Sequence, residues 1–207
     1  MITAQMAKKR INRNKELQSY VIGLDIGDGN LSNPNGRAIR LRISCDKKYP
    51  LLIKKIDKSL KTLLPDNKVS LIDYGKNLLD ISVYSNYLEE LLGWKAKNGP
   101  KLVQNVSIPS WIKYNKKYII NCLRGLIETD GCIYKDRGYT MMMFTSVIPA
   151  LANDVYNLII FLGFRPHIYR LKEVINKKYG FKQKPIYHVR LSNNVLDFLN
   201  LIKPEKI

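Results

Sequence analysis

RGLIETDG, residues 124–131, has a counterpart about half a chain earlier in VIGLDIGDG, residues 21–29. Asp28 and Asp130 stand 102 residues apart, and the same offset sets Gly23 on Gly125, Leu24 on Leu126 and Gly29 on Gly131. The match extends to RLRIS (40–44), which falls on MMFTS (142–146); both are short, strand-like and end in Ser. Farther on, ISVYSNYLEEL (81–91) aligns with VRLSNNVLDFL (189–199) at an offset of 108. The six extra residues are assigned to the Lys- and Gly-rich segment EVINKKYGFKQKP (173–185), read as a longer hairpin tip in the second half. Self-similarity that tolerates an insertion only at a loop predicts a structural duplication.

Each half reads as helix, two strands, helix, two strands, helix. KELQSYVIGLDIG has helical character up to its glycines, RAIRLRIS alternates with period two, and PLLIKKIDKSLKTLL returns to the helical period. KVSLIDYGKNLLDISVYS is a hairpin with a glycine near its turn, and SNYLEELL begins a third helix. The second half repeats the order through GYTMMMFTS, IPALANDVYNLIIFLGF, the PHIYRL and PIYHVRL strands, and NNVLDFLNLI. The expected class is α+β: a duplicated αββαββα fold with two antiparallel sheets about a pseudo-twofold axis. Its repeats span 1–98 and 113–207, joined by a linker at 99–112 rich in polar and turn-forming residues.

Lys and Arg number 35 against 17 Asp and Glu, a net charge of +18, so a polyanionic partner is expected and nucleic acid is the first choice. A hydrophobic content of 45% is enough for a real core. No long apolar run or lipidation signal argues for a membrane. The charged N-terminus lacks the apolar centre of a secretory signal, although a weak organellar presequence remains an alternative. Cys45, Cys122 and Cys132 form no CxxC pair, so neither a disulfide framework nor a zinc site is expected, and all three are read as buried thiols.

Inside the repeated segment, Gly23 and Gly27 are four apart on one helix, as are Gly125 and Thr129 on the other. Each helix thus has a smooth face where another backbone can approach, and the two copies are natural partners. Side-by-side packing brings Asp28 and Asp130 together at the helix ends. Two close carboxylates repel unless a cation lies between them, and oxygen ligands select Mg²⁺ or a similar hard ion. The alternative, that each Asp merely ends a helix beside Gly, is weakened by the matched recurrence.

Both segments resemble the motif of the LAGLIDADG homing endonucleases, and the whole pattern resembles the single-chain, two-repeat members of that family. RGLIETDG is a close match. VIGLDIGDG departs from it, with Asp25 and Ile26 where the family more often has an apolar residue followed by an acid. GPKLVQNVSIPSWI (99–112) also looks like the stretch that leads into the family's second motif helix. The resemblance implies phosphodiester hydrolysis near divalent metals, Mg²⁺ with Mn²⁺ or Ca²⁺ as substitutes. Asp28 and Asp130 would be the ligands, assisted by the carbonyls of Gly27 and Thr129. It also implies a lysine near each active site, assigned to Lys101 and Lys206, with Lys95, Lys97 and Lys203 as nearby alternatives.

The strands would read DNA. In RAIRLRIS, Ile39, Leu41 and Ile43 share one face, while Arg40, Arg42 and Ser44 share the other, open and basic. A twisted antiparallel ribbon fits the major groove, and Arg can bond guanine in bidentate fashion. Asn30, Ser32, Arg37 and Lys48 complete the first set of expected DNA contacts. Tyr134, Lys135, Arg137 and Thr140 form the corresponding set in the second repeat, followed by Arg170, Lys172, His188 and Arg190. Met142 and Phe144 stand where Arg40 and Arg42 stand in the first repeat. Either they make apolar contacts such as thymine methyls, or the register is displaced by one.

The reading is a monomeric, metal-dependent, sequence-specific nuclease that cuts both strands of double-stranded DNA at a long, non-palindromic site. It would be encoded in a mobile intron or as a free-standing invasive gene, and would act in a prokaryotic cytoplasm or nucleoid or in an organelle. The rival on the same fold is an RNA maturase acting on intron RNA, or a DNA-binding regulator that has lost cleavage. A basic structural protein without a metal is the third reading.

Overall fold

Asn14 opens the first helix by accepting a hydrogen bond from the Leu17 amide at 3.0 Å, and Asn115 caps its counterpart in the second half by accepting from Lys117 and Tyr118. The computed structural model describes residues 12–173, 180 and 184–206. Its first repeat runs α1 (Lys15–Ile26), β1 (Gly29–Ser32), β2 (Arg40–Asp46), α2 (Pro50–Leu63), β3 (Val69–Asp73), β4 (Leu78–Tyr84) and α3 (Leu88–Leu92). A short helix, α4 (Ser110–Lys113), precedes the second. That repeat runs α5 (Lys116–Asp130), β5 (Gly131–Asp136), β6 (Tyr139–Ser146), α6 (Pro149–Phe161), β7 (His167–Leu171), β8 (Ile186–Leu191) and α7 (Val195–Ile202). The αββαββα order therefore occurs twice.

Each repeat folds one four-stranded antiparallel sheet, with orders β1-β2-β4-β3 and β5-β6-β8-β7. Alternation decides which face is covered. Leu41, Ile43, Ile81 and Val83 in the first sheet, and Met142, Phe144, Val189 and Leu191 in the second, are buried against the helices. On α2, Leu52, Ile56, Leu60 and Leu63 form the buried stripe. Helices α1 and α5 make the most extensive helix–helix contact, so both repeats share one core. Close approach at the glycines permits this: a Cβ on Gly125 would lie 2.5 Å from the Tyr20 carbonyl oxygen and 2.7 Å from the Leu24 nitrogen. Gly23 is equally confined by the Cys122 carbonyl.

The sheet registers correct two expectations. Gly29 faces Ile43 across β1 and β2, whereas Gly131 faces Phe144 across β5 and β6. Phe144 therefore corresponds to Ile43, and Met141, Met143 and Thr145 correspond to Arg40, Arg42 and Ser44, one position off the sequence alignment. The cause is a tight turn at Arg137 (φ +50°) and Gly138 (φ +87°), whose two positive φ values suit a two-residue hairpin loop. That loop holds two residues, 137–138, against seven, 33–39, between β1 and β2, while β5 and β6 are longer than their counterparts, so the path from Gly131 to Phe144 spans 13 residues against 14 from Gly29 to Ile43. The β7–β8 connection is also longer than expected. Ile168 and Val189, paired across the strands, are 21 residues apart, against 10 for Leu71 and Ile81. Within 173–185, read above as a hairpin tip, residues 174–179 and 181–183 lie outside the described residues.

Cys45 and Cys122 are buried, but Cys132 is exposed, because it falls on the outward face of edge strand β5. Among the described residues no helix is long and apolar enough to cross a membrane.

Candidate functional site

Strands β1 and β5 begin immediately after the two motif helices, so Asp28 and Asp130 sit where each helix hands over to its sheet. The two ends are not identical. Helix α5 runs through Asp130, whereas α1 stops at Ile26 and leaves Asp28 just beyond the Gly27 cap, at the surface.

A lysine closes each helix end. Lys101 Nζ donates to the carbonyls of Asp25, Ile26 and Gly27 at 2.5, 2.8 and 2.7 Å. Lys206 Nζ donates to the Thr129 carbonyl at 2.9 Å and reaches the Gly131 carbonyl at 3.5 Å. Terminal carbonyls have no intrahelical partner and carry the negative end of the helix dipole, so an ammonium is favoured there.

The components are shared crosswise between the repeats. One cleft is lined by Gly27 and Lys101 from the first half together with Asp130 from the second, and its wall is the end of β6 at Thr145 and Ser146. The other takes Thr129 and Lys206 from the second half and Asp28 from the first, with its wall at the end of β2, Ser44 and Cys45. The electrostatics follow the same pairing. Burial and then the negative charge of Asp28 raise the Asp130 carboxyl to about 6, opposed first by Lys101 and then by Lys206. Asp28, though its side chain reaches the surface, is partly desolvated by the protein packed around it and is also raised, opposed first by Lys206 and then by Lys101. Burial pushes the Lys101 ammonium down, and Asp25, Asp130 and Asp28 pull it back up.

A metal at this site would be held by the two carboxylates and the carbonyls of Gly27 and Thr129. Among the described residues no group of three or more His, Cys, Asp and Glu side chains could hold one. The oxygen-only set, with Asp130 raised by burial and then by a neighbouring like charge, suits a hard divalent cation.

Two buried carboxylates anchor the segments that carry the lysines, and sequence reading missed both functions. Asp25 is wholly buried, accepts from Trp94 Nε1 at 2.6 Å, and has its carboxyl raised to about 6 by burial, opposed by Lys101 and the Trp94 bond. It thereby ties the start of the Lys101 segment to α1. Glu128 is likewise buried, accepting from the Tyr20 hydroxyl at 2.6 Å, the Glu205 amide at 2.8 Å and Lys55 Nζ at 3.3 Å. Lys55 also bonds Glu205 at 3.0 Å, which fixes the residue before Lys206. The signal for Asp25 was a lone carboxylate inside an apolar helical run, the same departure noted in the first motif.

The open faces of the sheets flank this centre. On the first, Arg40 Nε donates to Ser32 Oγ at 3.2 Å, Ser44 donates to Asp80 at 2.6 Å, and Arg42 lies 3.5 Å from the same carboxylate. Asn30 is exposed on β1, Arg37 is exposed in the β1–β2 connection, and exposed Lys48 pairs with Asp46 at 3.3 Å. On the second, Tyr134, His188 and Arg190 share the open face, with Arg190 paired to Asp136 at 3.1 Å and His188 Nδ1 2.9 Å from Thr145 Oγ1. Arg137 occupies the β5–β6 turn, and exposed Lys172 follows β7. Three residues expected on that face lie elsewhere. Lys135 and Thr140 pair on the side of Ile133 and Met142, and Arg170 pairs with Tyr187 on the side of Val189, its guanidinium 6.0 Å from the Tyr187 ring. Period-two alternation, counted from the corrected register, accounts for all three.

Residues 117–203 match the family model of the LAGLIDADG-like domain. Comparison with curated proteins gives no significant match. Among solved structures, the chain superimposes on I-DmoI in complex with DNA and Mn at 20% identity, covering 91% of this chain and 96% of that one, with a TM-score of 0.64. Mesophilic variants of the homing endonuclease I-DmoI superimpose equally well, at 19% identity over 91% and 95% of the two chains, TM-score 0.64. The N-terminal LAGLIDADG domain of DUF199/WhiA matches at 13% identity over 93% and 84%, TM-score 0.58.

Proposed function

We propose that this chain, a two-repeat protein of the LAGLIDADG fold, is a sequence-specific endonuclease that hydrolyses both strands of a long, non-palindromic DNA site. The observation that carries the reading is the crosswise pair of clefts, each combining a carboxylate from one repeat with a helix-end carbonyl and a lysine from the other. Two equivalent clefts suit two scissile phosphates, one per strand.

Asp130 with the Gly27 carbonyl, and Asp28 with the Thr129 carbonyl, would hold divalent cations, Mg²⁺ in use and Mn²⁺ or Ca²⁺ as substitutes. A hard cation there supplies charge stabilisation at the phosphate and makes water a better nucleophile. Lys101 and Lys206 hold positive charge beside the reacting phosphate oxygens, prepaid by their bonds to the helix ends. Asp25 and Glu128 keep those lysines in place. The sheets flank the centre and enter the major groove on either side, with the net charge of +18 directed at phosphates. I-DmoI structures described with DNA and Mn, and with target DNA and Mg, support carrying this chemistry to the present chain. Residence of the gene in a mobile intron belongs to the same proposal.

The test is enrichment of a preferred duplex from a randomised library in Ca²⁺, followed by incubation of that duplex in Mg²⁺. Double-strand cleavage at one position is expected. Tight, salt-sensitive binding without cleavage in Mg²⁺ or Mn²⁺ would move the chain to a DNA-binding regulator, and binding to structured RNA in preference to DNA would move it to a maturase.

A further inference from the structure

We infer that the two sheets read their half-sites by different chemistry, and that the second repeat's sheet recognises a thymine-rich half-site through the 5-methyl groups. The inference rests on the endonuclease reading above and adds to it the kind of DNA that one half of the site accepts.

The matched registers make the comparison position by position. Where the central strand β2 presents half-exposed Arg40, Arg42 and Ser44, the central strand β6 carries Met141, Met143 and Thr145 in the same places, Met143 and Thr145 half-exposed and Met141 buried. Where β1 sets Asn30 and Ser32 opposite those arginines, β5 sets Cys132 and Tyr134 opposite the methionines. Both replacements substitute apolar or aromatic groups for polar ones. The remaining arginine has changed strand: Arg190 on β8 takes the place of Ser82 on β4, and it is engaged by Asp136 at 3.1 Å. Tyr169 on β7 donates to Met143 Sδ at 3.7 Å and lies 5.2 Å from the His188 ring, which extends the apolar surface toward the sheet edge.

Charge around the patch identifies its occupant. Exposed Arg137 borders it at the β5–β6 turn, and exposed Lys172 and Lys184 border it at the other end. A methionine at the centre, beside an Arg190 whose charge is met by Asp136, and basic groups at both ends suit a major groove, where bases lie central and phosphates lie at the edges. The thymine 5-methyl is the one apolar group displayed there, and guanine acceptors, which arginine reads, are what the first sheet is built for. Methionine adapts to a methyl of variable position at little cost.

The experiment uses the full chain and the duplex enriched from the library. Thymidine is replaced by deoxyuridine, which removes only the 5-methyl, in one half-site at a time, and binding is measured by competition in Ca²⁺. Each buried methyl is worth about fourfold in affinity. Replacement in the half-site under the second sheet should therefore weaken binding by roughly 15- to 60-fold for two or three methyls, and replacement in the other half by less than about twofold. The discrimination should disappear in Met143→Ala, an outward-facing position, and persist in Arg42→Ala. Indifference to uracil in both halves, equal sensitivity in both, or full discrimination retained by Met143→Ala would overturn the inference while leaving the endonuclease reading intact. Failure to enrich any duplex would overturn both.

Discussion

Gly125→Ala tests the helix contact on which the paired clefts depend. The added Cβ would lie 2.5 Å from the Tyr20 carbonyl oxygen, 2.7 Å from the Leu24 nitrogen and 3.0 Å from the Gly23 carbonyl carbon, all of them backbone atoms of α1. No flexible side chain is available to yield, and ordinary carbon contacts need about 3.5 Å or more, so the helices must part by roughly 1 Å. Overpacking of this kind costs about 1–3 kcal/mol. Alanine returns about 1 kcal/mol of helix propensity over glycine. With the upper part of the overpacking range expected for a backbone clash, the net loss is about 2 kcal/mol, or a fall of roughly 4–8 °C in Tm for a chain of this size. Thermal unfolding followed by circular dichroism reads this directly. Cleavage should fall by more than DNA affinity does, because the parted helices carry Asp28 and Asp130 with them. A Tm equal to or above wild type would refute the close approach of α1 and α5.

Further expectations concern charge and anchoring. Asp25 has its folded carboxyl at about 6 against 3.8 unfolded, so its contribution to stability is lost as pH rises from about 4 to about 6. The stability of Asp25→Asn relative to wild type should therefore climb across that window by up to roughly 3 kcal/mol in urea unfolding, and a flat difference would contradict it. Trp94→Phe removes the donor to Asp25 and leaves a buried carboxylate unpaired, at a cost of about 1.5–3 kcal/mol, and should slow cleavage more than it weakens binding. Lys101→Met and Lys206→Met should each slow cleavage of one strand by about 10²–10³-fold, giving nicked product with opposite strand preference. Equal slowing of both strands by either variant would argue against crosswise clefts.

Much of the fold was legible because the duplication repeats its punctuation: glycines at the helix contact, an aspartate before each first strand, and Pro at the start of each second helix. The register of β6 was not, since the path from Gly131 round the Arg137–Gly138 turn to Phe144 is one residue shorter than that from Gly29 to Ile43, and such a slip moves every β6 side chain to the opposite face. That single residue hid the correspondence of Met141 and Met143 with Arg40 and Arg42; Lys135, on β5 before the turn, and its pair Thr140 lie off the open face because alternation sets them opposite to Tyr134 and Met141. At the site, Asp28 and Asp130 could be named from the repeat, and Lys101 and Lys206 from the family resemblance. The anchoring by Asp25 and Glu128 could not, because their partners Trp94, Tyr20 and Lys55 lie 69 or more residues away in the chain and meet them only in the packed core.

The central claim is that one carboxylate from each repeat serves cleavage. The most direct measurement is Mg²⁺-dependent cutting of the enriched duplex, labelled on both strands, by wild type, Asp28→Asn and Asp130→Asn, with binding measured in parallel. Double-strand cleavage by wild type, and its loss in both variants with binding retained, is the predicted result. Undiminished double-strand cleavage by either variant would contradict the account.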